Sequence, residues 1–240
     1  VEVRPLVAVS EGLWLDFLAL LSTPTLNLDA FLALCSQAVS VLPLSGRLWA
    51  VYLRAITRCQ RPKSHMLALY EKAAHSRGVA LLGGASLLSL LQARIDCERA
   101  YAAMELAHAQ KKSPDQVLVV TEMDHFMHVY ELFLHSISAM QRLPASEQDA
   151  SVALERCAVD WIERAARALA QTAGLEASAG LYPLADDVWT HALEQHPMHA
   201  TAYLEAAQYF QRRDDDKRAR QTYKAAMAKQ GLDNKARIVA

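Results

Sequence analysis

The chain has 240 residues, of which 52% are hydrophobic and 7% aromatic, and its formal net charge is −1. This apolar content is sufficient for a large buried core, and only eight glycines and eight prolines are present, as is typical where long helices dominate. A β-rich fold is excluded, because regular turn signals and alternating apolar runs are absent. The uncharged stretch 78–93 is too short to cross a bilayer and is interrupted by Gly83 and Gly84, so no membrane partner is expected.

The first predicted element is a tryptophan followed three residues later by a second aromatic residue. It occurs as Trp14 with Phe17 and again, 35 residues later, as Trp49 with Tyr52. Residues i and i+3 share a helix face, so each pair forms one apolar knob directed at a neighbouring helix. Recurrence at this spacing indicates a helical repeat protein. We therefore predict an all-α fold, an α-solenoid of about five antiparallel helix pairs in a single array over residues 1–240.

A second recurring element is an aromatic residue in the middle of an amphipathic segment. It marks the partner helix of each pair, at Tyr70, Tyr130, Trp189 and Tyr223. Trp161 and Tyr203 occupy the tryptophan position of later repeats, where Tyr203 replaces the expected tryptophan. The predicted repeat core therefore comprises Trp14, Phe17, Trp49, Tyr52, Tyr70, Tyr130, Trp161, Trp189, Tyr203 and Tyr223.

Two long helices are predicted in the middle of the chain, near 86–112 and 115–142, where they form a central hairpin. Their length accounts for the 60-residue spacing between Tyr70 and Tyr130. Ser113 followed by Pro114 is a typical start for the second of these helices.

Capping residues place the later helices. Ser146 can cap the next helix, and Gly174 is expected to end it. Three consecutive carboxylates, Asp214 to Asp216, predict the start of the last helix, because negative charge is favoured at that end of the helix dipole.

One helix face carries a candidate metal site, formed by Asp124, His128, Glu131 and His135 at steps of four, three and four residues. Ligands on one straight helix cannot all converge on an ion without a second helix, and this face lies opposite an aromatic stripe, so a solvated face is expected. No phosphate-binding glycine loop, nucleophile motif or paired acid is present. We predict no metal, no cofactor and no catalytic residue.

The four cysteines, Cys35, Cys59, Cys97 and Cys157, are widely spaced and include no Cys-x-x-Cys pair. They are predicted to be small core residues of a protein in a reducing compartment, the cytosol or the nucleus. The chain begins at Val1 without a signal sequence, and we expect it to be a piece of a longer protein.

Charge is distributed unevenly along the chain. Residues 121–211 hold 4 basic and 13 acidic residues, whereas residues 212–240 hold 9 basic and 4 acidic residues. The acidic stretch could bind the basic end of a second copy or a basic partner segment. Solvated faces with local ion pairs are the alternative. Direct RNA binding is not predicted, because no stacking aromatics are interleaved with the basic residues.

The pattern resembles the HAT (half-a-TPR) repeat family. The resemblance is carried by the two tryptophan pairs, by Ala219-Arg220-Gln221-Thr222-Tyr223 in the last helix, and by Pro43 and Pro197 just after helices. It covers nearly the whole chain, although leucines at 87–91 stand where a tryptophan is expected.

The resemblance implies a nuclear scaffold of pre-mRNA splicing that forms homodimers and binds spliceosomal snRNP proteins and deubiquitinases. In such proteins U6 snRNA is held by RNA recognition motifs, which this chain lacks. Other HAT scaffolds, of mRNA 3′-end cleavage or rRNA processing, a TPR-like peptide-binding adaptor and a metal-dependent helical enzyme remain alternatives. The candidate partner surface comprises Leu204, Tyr209, Phe210, Arg212, Arg213, Arg218 and Met227.

Overall fold

The computed structural model describes residues 4–21, 27–75, 83–112, 118–144 and 147–229. These residues form eleven helices and no strand, which confirms the all-α prediction. The helices are α1 (Arg4–Leu21), α2 (Leu28–Val41), α3 (Gly46–Arg58), α4 (Lys63–His75), α5 (Gly84–Lys112), α6 (Leu118–Met140), α7 (Gln148–Ala173), α8 (Leu175–Ala179), α9 (Tyr182–Gln195), α10 (Ala200–Arg212) and α11 (Asp216–Ala228).

The chain divides into two compact units, residues 1–132 and 133–240, which we call unit 1 and unit 2. In unit 1, α3 is central and packs against α2, α4 and α5, around buried Trp49, Leu53 and Ile56. In unit 2, α10 packs against α9 and α11, and α7 packs along α9. The core of unit 2 includes the fully buried Trp189 and Tyr209.

Short turns and side-chain caps define several helix starts. Ser45 accepts a hydrogen bond from the backbone N–H of Leu48 at the start of α3. Asp215 accepts one from the N–H of Arg218 at the start of α11, as the run of carboxylates predicts. Gly174 has φ +93° and ends α7, which confirms the predicted stop. The predicted caps Ser113 and Ser146 lie outside the described residues.

The predicted long helices correspond to α5 and α6, which begin and end within a few residues of the predicted ranges. Glu98 on α5 contacts His128 on α6, with Oε2 and Nε2 3.7 Å apart. The central hairpin and the single array of five pairs stay predictions.

A three-helix segment occurs once in each unit. The helices α2, α3 and α4 have 14, 13 and 13 residues, and so do α9, α10 and α11. Residues of α2 and α3 correspond to those of α9 and α10 at a shift of 154 positions, and those of α4 to α11 at 153. The structure thus contains an internal repeat, in which three helices of the same lengths follow one another in the same order.

The two segments also share one side-chain hydrogen bond to a proline carbonyl. Trp49 Nε1 donates to the carbonyl oxygen of Pro43 at 2.8 Å, and the Tyr203 hydroxyl donates to that of Pro197 at 3.3 Å. In each case the aromatic residue lies six positions after the proline and four residues into its helix. The side chain therefore fixes the turn before it in the same way in both units.

The turns after α3 and α10 are alike as well. Gln60 has φ +52° and Asp214 has φ +57°, so each places a residue other than glycine in the left-handed region. The next N–H, of Arg61 or Asp215, donates to the carbonyl oxygen five residues earlier, at Ile56 or Phe210. This is the Schellman geometry that closes a helix end.

Gly46 lies where α3 meets α5, and its N–H donates to Ser86 Oγ at 2.8 Å. A Cβ atom at this position would be 2.3 Å from the Ser86 carbonyl oxygen, which is backbone and cannot move aside alone. We expect Gly46→Ala to lower the free energy of unfolding by about 1–3 kcal/mol, because the helices must separate.

Gly12 in the middle of α1 is the matched control, since a Cβ there meets nothing within 4 Å. Gly12→Ala should raise stability by about 0.5–1 kcal/mol, the usual gain from replacing a helical glycine. Urea unfolding of both variants measures the two effects, and equal shifts of the same sign would contradict the close contact at Gly46.

Candidate functional site

The basic end of the chain is anchored by one carboxylate in unit 2, that of Asp186 on α9. Its Oδ1 accepts hydrogen bonds from the Tyr209 hydroxyl and from Arg213, each at 2.8 Å. Its Oδ2 accepts one from Arg218 at 2.6 Å. The guanidinium of Arg213 also lies 4.2 Å from the centre of the Tyr182 ring. One carboxylate therefore joins α9, α10 and the start of α11.

The Asp186 network and burial together keep the Tyr209 hydroxyl protonated. Burial raises the pKa of the Tyr209 hydroxyl, and its hydrogen bond to the Asp186 carboxylate raises that pKa further. The hydroxyl therefore stays protonated and donates at physiological pH.

We expect Asp186→Ala to lower the free energy of unfolding by about 1.5–3 kcal/mol, a range typical for hydrogen bonds to a charged group. Asp187 is the matched control, because it is the next residue on the same helix and is exposed. Asp187→Ala should change stability by no more than about 0.5 kcal/mol. Thermal and urea unfolding of both variants measure the two losses. If Asp186→Ala loses no more stability than Asp187→Ala, the Asp186 network contributes little.

A second network, buried at His196 and Glu155, joins α7 to the turn between α9 and α10. His196 Nε2 and Glu155 Oε1 are 3.2 Å apart, and both side chains are at most 3% exposed. His199 Nε2 contacts Asp149 Oδ1 at 3.0 Å. Ser151 is buried nearby on α7, one turn before Glu155, but its hydroxyl has no protein hydrogen-bond partner.

Serine, histidine and glutamate are residue types of hydrolytic sites, but this group does not form one. Ser151 makes no hydrogen bond to His196, and the three side chains are closed to a substrate. The network fastens the turn before α10 to α7.

The face proposed from sequence as a possible metal site is exposed on α6, as expected for Asp124, His128, Glu131 and His135. Within the parts of the chain that the structure describes, no three His, Cys, Asp or Glu side chains are placed to share a metal ion. None of the described helices combines the length and apolarity needed to cross a bilayer.

Most of the predicted core aromatics are buried or partly buried. Trp49, Tyr130, Trp189 and Tyr203 are buried, and Trp14, Tyr52, Tyr70, Trp161 and Tyr223 are partly buried. Ring centres of Trp14 and Phe17 are 6.0 Å apart, and those of Trp49 and Tyr52 are 6.3 Å apart, so each pair shares a face as predicted. Phe17 is 44% exposed, because it lies on the outer side of α1 with Leu13 and Leu20. The prediction of a core role is wrong for Phe17.

The predicted partner surface is corrected at two residues. Tyr209 and Phe210 are 0% and 5% exposed and belong to the core of unit 2, so they cannot contact a partner. The sequence pattern did not separate the buried and exposed sides of α10. Leu204 is partly exposed, and Met227 is 46% exposed.

The predicted basic surface is largely bound within its own unit. Arg213 and Arg218 bind Asp186, and Arg212 lies 3.5 Å from Glu163. The acidic stretch and the basic end therefore meet inside unit 2. From the sequence, Asp186 contributed only to the net charge of the acidic stretch. It is far from Arg213 and Arg218 along the chain, so no local sequence pattern indicates that they pair.

Two open clefts lie among the described residues of unit 1, one on each side of the α3–α4 turn. Their volumes are about 550 and 600 Å³, and both are lined by Arg61 and Pro62. Arg61 binds Asp29 and Lys63 binds Glu98, so the cations at these clefts are already paired. The second cleft is also lined by the exposed carboxylate of Glu105.

Comparison with known proteins gives no family assignment. No protein-family model matches the chain, and no curated protein sequence matches it significantly.

Proposed function

We propose that the chain is a HAT-type scaffold that binds other proteins and has no catalytic activity. The observation that carries this proposal is the internal repeat of three helices, in which Trp49 and Tyr203 make the same hydrogen bond to a proline carbonyl. Repeats of this kind stack into solenoids of antiparallel helix pairs, and we propose that architecture for the whole chain. Stacked repeats of this class create extended surfaces suited to binding other macromolecules.

The process that we propose is pre-mRNA splicing in the nucleus, specifically the recycling of U4 and U6 snRNPs. The support is the resemblance of the tryptophan pairs and the last helix to HAT repeats. The partners in this proposal are a second copy of the chain, snRNP proteins and a deubiquitinase. U6 snRNA would be held by regions outside this chain.

The test is affinity capture from nuclear extract with the tagged chain, with and without ribonuclease. The proposal expects U4/U6 snRNP proteins to be retained after ribonuclease treatment, because the contact is protein to protein. Trp49→Ala should lose these partners through unfolding of unit 1, whereas Asp187→Ala should keep them. Recovery of 3′-end cleavage factors or rRNA-processing factors instead would overturn the assignment to splicing.

A further inference from the structure

Two hydroxyl residues of the sequence have an arginine three positions earlier. They are Thr57, which follows Arg54, and Ser64, which follows Arg61. Basophilic protein kinases select their substrates by an arginine at this position, which they bind through carboxylates of their own. A kinase can modify only a hydroxyl that it can reach, so the structure decides between the two positions.

Thr57 is closed to a kinase. It lies inside α3 and is 8% exposed, and its hydroxyl donates to the carbonyl oxygen of Leu53 at 3.1 Å. Phosphorylation at this position requires unfolding of the central helix of unit 1. The pair of Arg54 and Thr57 is therefore an internal negative control for the same sequence pattern.

Ser64 is accessible. It is exposed and is the second residue of α4. Arg61 and Pro62 lie in the turn between α3 and α4, and both are exposed. The first N–H groups of a helix have no carbonyl partner within that helix. The segment from Arg61 to Ser64 can therefore extend into the cleft of a kinase with the loss of few hydrogen bonds.

This turn is exposed although the helices on both sides of it are in place. Residues of α2, among them Asp29, line the cleft on one side, and residues of α5, among them Met104, line the cleft on the other side. Arg61 pairs with Asp29, but the two side chains are 45% and 74% exposed. Such a surface pair contributes little to stability, so Arg61 can exchange Asp29 for the carboxylates of a kinase.

We propose that Ser64 is a phosphorylation site of a basophilic protein kinase and that Arg61 is the residue by which the kinase recognises it. The Ser64 hydroxyl oxygen attacks the γ-phosphorus of ATP, which the kinase supplies. The new bond joins Oγ to phosphorus, and the bond from phosphorus to the β,γ-bridging oxygen breaks. ADP leaves, and the hydroxyl proton passes to the catalytic aspartate of the kinase.

Phosphorylation would change the charge of the cleft of about 550 Å³ that α2 borders, because Ser64 lines it. The charges of Asp29 and Arg61 in this lining balance, and a phosphoserine adds about −1.5 to −2 at pH 7. A molecule that approaches the cleft therefore meets an acidic surface only after the modification. This inference does not depend on the scaffold function proposed above.

The test uses the full chain, magnesium ATP and calcium/calmodulin-dependent protein kinase II, which selects arginine at this position. Mass spectrometry of the intact chain and of its peptides should locate phosphate on Ser64. Ser64→Ala should remove that phosphate. Arg61→Ala should lower the initial rate at least about tenfold, equivalent to about 1.4 kcal/mol in the transition state.

Two matched variants separate recognition of Arg61 from other effects of its loss. Asp29→Ala removes the ion pair but keeps Arg61, so it should not lower the rate. Arg58→Ala removes another exposed arginine, at the end of α3, and should leave the rate unchanged. Circular dichroism establishes that each variant is folded before the rates are compared.

The proposal is overturned if no phosphate reaches Ser64, if Thr57 is modified in its place, or if Arg61→Ala reacts as fast as the parent chain. It is also overturned if a synthetic peptide spanning residues 58–68 is a substrate while the folded chain is not, because the fold then hides Ser64. An Asp29→Ala rate as low as that of Arg61→Ala would refute recognition through Arg61.

Discussion

Trp49→Ala should lower the free energy of unfolding by about 3–5 kcal/mol, the usual range for removing a buried tryptophan. Trp49 is 2% exposed, and it packs in the core of unit 1 while its Nε1–H holds the Pro43 carbonyl. The variant loses this packing, leaves a cavity and leaves the carbonyl without its donor. Urea unfolding followed by circular dichroism measures the loss.

Two control variants separate the loss of packing from the loss of the hydrogen bond. Trp49→Phe keeps most of the apolar volume but removes the donor, so it should cost much less than the alanine variant. Phe17→Ala, at an exposed aromatic of α1, should cost less than about 1 kcal/mol, because little buried surface is removed. If Trp49→Ala were as mild as Phe17→Ala, the central place of Trp49 in unit 1 would be refuted.

Glu98→Ala is expected to have a comparable effect, about 3–5 kcal/mol, because it removes the buried carboxylate of an ion cluster and leaves the largely buried Arg94 without its charged partner. The Glu98 side chain is 2% exposed and binds Lys63 at 2.7 Å and Arg94 at 2.8 Å. Arg94 is 14% exposed, so without Glu98 its charge stays in the protein beside the Tyr70 ring, 4.9 Å away, and the Met66 sulfur, 3.7 Å away, and neither neighbour carries a charge.

Asp96 is the matched control, two residues earlier on α5. Its ion pair with Arg54 joins two side chains that are 47% and 45% exposed. Asp96→Ala should therefore cost no more than about 1 kcal/mol, as is typical of surface pairs. Urea unfolding measures the free energy lost by each variant. Similar losses for both would show that the burial of Glu98 does not determine its contribution to stability.

The helices were predictable because their signals are local. Aromatic residues at i and i+3, the carboxylate run before α11 and the left-handed Gly174 each act within one or two helical turns. The pairing of Asp186 with Arg213 and Arg218 was not predictable, because it depends on how three helices meet. The burial of Tyr209 and Phe210 was missed for the same reason, since α10 is apolar on more than one side.

Gln60 and Asp214 place ordinary side chains where a helix end would favour glycine. The left-handed conformation costs such a residue on the order of 1 kcal/mol, but a non-glycine residue also restricts the unfolded chain, and the two effects oppose each other. Substitution at these turns can therefore leave the free energy of unfolding nearly unchanged. The residue type at the turn can then vary while the hydrogen bonds remain. In a diverged protein, the turn geometry at a repeat boundary can therefore persist after the residue types that would identify it in the sequence have changed.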